Sequence, residues 1–373
     1  MLRFLKIYFI PGAVLQSVMI GGGYGTGREL VEFFTLHGIG NGFAGQLLAT
    51  VLVSAIFALT LGLSVRYGTY EYRSFFKLLL GRFWFLFEIV LLLLIVLVLA
   101  VMGSAAGGIM EDTLGLPNQL GAIVMLVAVV ILTFFGRELI TRVLAGWSVL
   151  LYIVFIAYFV AVVSGLEAGD VGNKLDWQFE TAWMVSALQY ALYNVSAVPI
   201  ILYAARDIET EQQAYLSGCI GGVIAMVPGM LFHLSFVGAY PEILEATLPV
   251  YAMFSSLAMP VLYGLYLVVL FGTFIETGAG DIQGIIERID AWWSERRGVT
   301  LKRTQHAIIA AGALAVAGVL SSFGIVDLIA EGYGTMAWGF LFVYLIPLFT
   351  IGVYRLINER GSPPATQEAG GSA

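Results

Sequence analysis

Long stretches without a charged residue constrain this chain more than any other feature of its sequence. From Ile89 to Met110 no charge occurs, and comparable apolar runs recur along the whole chain. A helix rises about 1.5 Å per residue, so roughly 20 apolar residues match the hydrocarbon core of a bilayer. Runs of this kind place spans near 7–36, 41–65, 84–110, 119–135 and 143–165, then near 181–205, 213–238, 254–282, 305–322 and 324–356. Turn signals separate them, among them Gly38-Ile39-Gly40-Asn41-Gly42, Leu116-Pro117-Asn118, Gly169-Asp170 and Ser321-Ser322-Phe323-Gly324. The 373 residues are 60% apolar and 12% charged, with a mean hydropathy of +0.92, too apolar for an ordinary water-soluble domain. An outer-membrane barrel would show short alternating segments instead. The first run, from Ile7, has no small-residue cleavage site and is expected to be a span rather than a removed signal peptide.

The basic residues give the orientation, because Lys and Arg collect on the cytoplasmic side. With the N-terminus inside, 16 of the 18 cations fall in cytoplasmic segments, from Arg3 and Lys6 through Arg66, Arg73, Arg137, Arg206 and Arg288 to Arg355 and Arg360. Only Arg28 and Lys174 fall elsewhere, and the opposite loops carry Glu111, Asp112, Glu167, Asp170, Asp176, Glu180, Glu242 and Glu245. Ten spans with both termini cytoplasmic follow. The net charge of −7 comes with no Lys/Arg block, which argues against nucleic-acid binding. One cysteine, Cys219, permits neither an internal disulfide nor a Cys-based metal site.

Within the first span lies Gly21-Gly22-Gly23-Tyr24-Gly25-Thr26-Gly27. Each helical glycine costs about 1 kcal/mol relative to alanine, so a continuous helix here would be a poor one. Breaking a helix in the bilayer frees N–H and C=O groups at several kcal/mol each unless they line a polar cavity. A close helix crossing through small residues is the plainer alternative. The sixth span carries a second interruption, Tyr190-Ala191-Leu192-Tyr193-Asn194-Val195-Ser196-Ala197-Val198-Pro199, where Pro199 removes a donor and three polar side chains sit mid-membrane. Spans one and six each open a half of five spans. Because five is odd, the halves, 1–165 and 166–356, run in opposite directions, the topology of an inverted repeat. Residues 357–373 are expected to form a disordered cytoplasmic tail.

These features resemble the leucine-transporter fold of the amino acid–polyamine–organocation superfamily. Gly21 to Phe34, with Arg28-Glu29-Leu30-Val31-Glu32, resembles more particularly the YkvI-type membrane proteins. The resemblance implies an all-α membrane protein with discontinuous first and sixth helices. It further implies alternating access between a bundle of spans 1, 2, 6 and 7 and a scaffold of spans 3, 4, 8 and 9. By the same analogy Arg28 and Glu331 are a candidate gate with Tyr190 as a lid, although Glu29 and Glu32 lie close enough in sequence to neutralise Arg28 locally. Thr273, Glu276 and Thr277 share one face of span eight, and with carbonyls of Met19 and Gly22 they are the candidate Na+ site. Threonine can instead merely bond its own helix, and Glu276 could equally carry a proton. Span five, with Trp147, Ser148 and Tyr152, lacks the lysine that some proton-coupled relatives place there.

The reading that results is an ion-coupled symporter of bacterial inner-membrane type for a small organic solute, most plausibly an amino acid or related amine or zwitterion. The amides around Gly23 to Gly27 would meet an anionic group of the solute. Tyr193, Asn194 and Ser196 would face it from the other side, and Ser104 of span three would close the pocket. The alternative is a sensor of the same fold that binds without transport. No HExxH, Gly-x-Ser-x-Gly or Walker A sequence occurs, so no enzyme, cofactor or transition metal is expected beyond Na+ or H+. His37, His233 and His306 suggest no site, and whether the chain is a monomer or homodimer stays open.

Overall fold

The computed structural model describes residues 2–135, 137–165, 174–175 and 181–359. Most of the acidic loop holding Glu167, Asp170, Asp176 and Glu180, the chain beyond Glu359, and the side chains of Arg137, Arg142, Trp147 and Ser148 lie outside that description. Among the described residues the secondary structure is entirely helical. Seven helices among the described residues are long and apolar enough to cross a membrane, and shorter apolar helices cover Leu5–Met19, Asn118–Ile131 and Leu150–Val163.

The helices follow the apolar runs with instructive departures. The first run breaks into α1 (Ile10–Met19), α2 (Gly22–Thr26) and α3 (Arg28–Phe33). Next come α4 (Ile39–Tyr67), the short amphipathic α5 (Tyr72–Leu80), α6 (Phe85–Leu114), α7 (Asn118–Phe135) and α8 (Arg137–Val163). α9 (Ala182–Asn194) runs without an extended residue into a 3₁₀ helix over Val195–Ala205. The open break expected in the sixth run is therefore a tightening instead. Where the α-helix passes into the 3₁₀ helix, Asn194 Nδ2 donates to the Tyr190 carbonyl and Ser196 Oγ to that of Tyr193, so these two polar side chains bond their own backbone.

α10 (Glu211–Phe236) and α11 (Pro249–Ser256) precede α12 (Pro260–Arg297), which extends fifteen residues beyond the apolar run expected to end at 282. The extension carries Gln283, Glu287 and Arg288, whose side chains line a cavity, so hydropathy fades while the backbone stays helical. α13 (Arg303–Ser321) follows, and the last helical stretch, Ile325–Asn358, contains three wide π-type turns, at Leu328–Tyr333, Leu341–Leu345 and Leu348–Gly352.

Packing sorts the helices into two groups. α1, α4, α10 and the α9–3₁₀ unit pack on one another, while α6, α7, α12 and α13 form the second group. Small residues let the first group close. A Cβ on Gly218 of α10 would land on the Ala58 backbone of α4, and one on Gly12 of α1 would land on Gly221 of α10. Hydrogen bonds reinforce these contacts, from Gln46 Nε2 to the Gly229 carbonyl (3.1 Å) and from Gln16 Nε2 to that of Ile224 (2.8 Å). Leu47, Val51, Leu93, Ile308, Val319 and Phe342 are exposed, a surface suited to lipid rather than water.

Candidate functional site

The first helix is interrupted where the glycines begin. Gly21 is extended (φ −99°, ψ −163°), and its N–H bonds back to the Met19 carbonyl at 2.9 Å. Gly27, between α2 and α3, is left-handed (φ +79°), and a Cβ there would meet Val250 and Phe236. Only glycine satisfies both constraints. α2 is thus a five-residue helix between two backbone reversals, packed against α6 and α12. Its polar groups are largely committed inside the protein. Thr26 Oγ1 donates to the Gly23 carbonyl (2.8 Å), Gly27 N–H to Tyr24 (2.9 Å), and Tyr266 Oη to Gly25 (3.3 Å).

One α2 amide expected to meet a solute is already bonded. The Glu29 carboxylate folds back over α2, taking the Tyr24 N–H and the Tyr193 hydroxyl, the latter at 2.6 Å. A Cβ on Gly23 would strike this carboxylate, so Gly23 is the notch that admits it. Glu29 is 3% exposed, and no salt bridge reaches it among the described residues. Tyrosines surround it. The Tyr193 ring packs on Tyr190 (5.5 Å between centroids) and Tyr333 (4.9 Å), and Tyr190 on Phe33 and Phe34. The hydroxyls of Tyr24 and Tyr190 are buried without a hydrogen-bond partner among the described residues. The sequence reading named Glu29 only as a local partner for Arg28, although helix geometry argued against that pairing. Residue 32, one turn after Arg28, can face it, whereas residue 29 cannot.

Arg28 pairs with Glu32, its Nη2 lying 2.6 Å from Oε2. Its Nη1 donates to the carbonyls of Leu244 (3.0 Å) and Ala246 (3.2 Å), in the loop after α10. Glu331, the expected gate partner, is exposed instead and not brought to Arg28. Tyr190 does stand as part of an aromatic wall at this end. His233 is buried with both ring nitrogens engaged, by Thr35 and the Ile39 carbonyl, a structural role.

A cavity of about 790 Å³ opens at the opposite, cation-rich end, beside Tyr72, Arg73 and Arg288. It rises along α12 past Thr277, Glu276 and Thr273 and touches Ile20, the residue before the extended glycine. Three of the candidate ion residues, Thr273, Glu276 and Thr277, are thus on one lined surface that reaches Ile20, whereas Met19 does not line it and the surroundings of Gly22 lie outside the description. Thr273 Oγ1 nevertheless donates to the Val269 carbonyl of its own helix (2.9 Å). Asp281, also on that wall, was missed because it lies at the expected end of the span, and its Oδ2 is buried with no hydrogen-bond partner among the described residues. Ser104 is buried on α6, the helix that packs against α2. Among the described residues, no three His, Cys, Asp or Glu side chains are grouped to hold a metal.

No protein-family model matches the chain. It is similar to the uncharacterized membrane protein YkvI of Bacillus subtilis (strain 168), at 25% identity over 290 residues, which are 75% of this chain and 80% of that protein. The expected likeness to YkvI-type membrane proteins is thereby met. A Na+-coupled sialic acid symporter, solved substrate-bound and outward-open, aligns over 94% of this chain and 87% of its own, with a TM-score of 0.52 and 13% identity. A mutant manganese transporter of Eremococcus coleocola aligns over 96% and 89%, with a TM-score of 0.47 and 14% identity. The chain is a helical membrane protein that shares its fold with the symporter.

Proposed function

We propose that this chain is a secondary active transporter of a small organic solute, an amino acid or related amine or zwitterion, coupled to Na+ or H+. The observation that carries the reading is a one-sided path. The cavity climbs from the cation-rich end to the interrupted first helix, while the aromatic wall and the Arg28 contacts shut the other end. A protein that exposes a central break to one side at a time is built for alternating access. A channel needs a continuous pore.

On this reading the seven long helices and three shorter ones are ten crossings, arranged as two inverted halves, 1–165 and 166–356. The termini face the cytoplasm of a bacterial inner membrane, and the open cavity faces inward. Thr273, Glu276 and Thr277 on its wall are placed to meet the coupling ion as it leaves. The reading is of a carrier, with no covalent chemistry and so no enzyme activity.

Counterflow of labelled solute in proteoliposomes tests it. Saturable exchange is the expected result. Binding without exchange would identify a sensor, and unsaturable flux a channel; either ends the transporter reading.

A further inference from the structure

Glu29 is a buried carboxylate, and among the described residues no cation of the chain pairs with it. Arg28, its sequence neighbour, gives its Nη groups to Glu32 and two carbonyls instead. Leaving a charge in such surroundings costs several kcal/mol. The Tyr193 hydroxyl and the Tyr24 amide bond the carboxylate but bring no positive charge to it. Around it stand Tyr24, Tyr190, Tyr193 and Tyr333, all buried, with the hydroxyls of Tyr24, Tyr190 and Tyr333 within electrostatic reach of the acid. Two of these hydroxyls, on Tyr24 and Tyr190, have no hydrogen-bond partner among the described residues.

The geometry points to Glu29 as the recognition residue for an organic ammonium group, and to a solute that carries no carboxylate of its own. This deepens the transport reading and rests on it for the word solute. The chain has put its own carboxylate where the sequence suggested that the carboxylate of an amino acid would sit, against the α2 backbone. A second carboxylate there would be repelled by the first. An ammonium group would balance Glu29, donate to the free tyrosine hydroxyls and lie against ring faces that attract organic cations. A hard metal cation asks for six or more oxygen ligands, and aromatic faces supply none. Gly23 belongs to the same device, since any side chain there would displace the carboxylate.

Thermal stabilisation of the purified full-length protein tests this with matched pairs, each an amine and the amino acid it derives from: tyramine and tyrosine, putrescine and ornithine, ethanolamine and serine. Ligands that bind only the folded state raise its stability by mass action. At least one amine is expected to bind wild type tenfold or more tightly than its amino acid. Glu29→Gln should lose at least tenfold of that affinity. Gly23→Ala should lose a similar factor while keeping the charge, and it should fold, because only the end of a flexible side chain has to move. Equal binding of amine and amino acid overturns the proposal, as does unchanged amine binding in Gly23→Ala or no amine binding at all. Amine binding without counterflow supports it and removes the transport reading alone; counterflow of an amino acid in preference to its amine does the reverse.

Discussion

Single residues at the interruption set the sharpest limits on change. Gly27 combines a left-handed backbone with a wall at Val250 and Phe236. Gly27→Ala therefore incurs a backbone cost of about 1–2 kcal/mol as well as the overlap, and a lower unfolding temperature in detergent is the expected outcome. Gly25 differs, because a Cβ there would meet only the tip of Leu270. Gly25→Leu should fold with an overpacking cost of about 1–3 kcal/mol and lose counterflow; unaltered counterflow would remove the first-helix site. At this scale the sequence was legible in part. Five glycines in seven residues located the break. Glu29 was legible only as a neighbour of Arg28, because its partner lies 164 positions away and a linear chain gives no rotation of one helix against another. Thr273 shows the same limit, as a hydroxyl bonded to its own helix reads like a ligand until its rotamer is known.

Elements answer to forces that residue types report only indirectly. Pro199 announced an interruption in the sixth run, yet the chain narrows to a 3₁₀ helix there, and Asn194 and Ser196 turn back on carbonyls of the preceding turn. A proline shows that one backbone donor is missing but not whether the helix opens or tightens around it. α12 erred the other way: hydropathy ended the span where charges begin, but those charges face a cavity. The α3 clamp is an element-scale device as well. Arg28 ties that helix to the loop at Leu244 and Ala246 while pairing with Glu32. Arg28→Ala strands a mostly buried carboxylate, for a cost of about 3–5 kcal/mol. Hydrogen exchange should quicken across residues 242–248, and unchanged protection there would show that the clamp does not hold the loop.

For the whole molecule, hydropathy located every long helix among the described residues, because the bilayer imposes one requirement on every crossing. Hydropathy and cation placement could not show which end of the bundle is open, since that depends on packing between helices distant in sequence. The proposed topology makes it measurable. With Cys219 replaced, Thr277→Cys should react with a membrane-impermeant maleimide from the cytoplasmic side alone, and saturating solute should slow the reaction at least severalfold. Labelling from the outer side would reverse the assigned orientation. The two-residue link at Ile20 and Gly21 has one more consequence at this scale. α1 is bolted to α10 through Gly12 and Gly221, whereas α3 is tied to the far loop by Arg28. A straight rod joining these anchors would act as a seesaw, so that shutting one door forced the other ajar. A hinged rod works as an airlock, in which both doors can be shut at once and the cargo held between them before either opens.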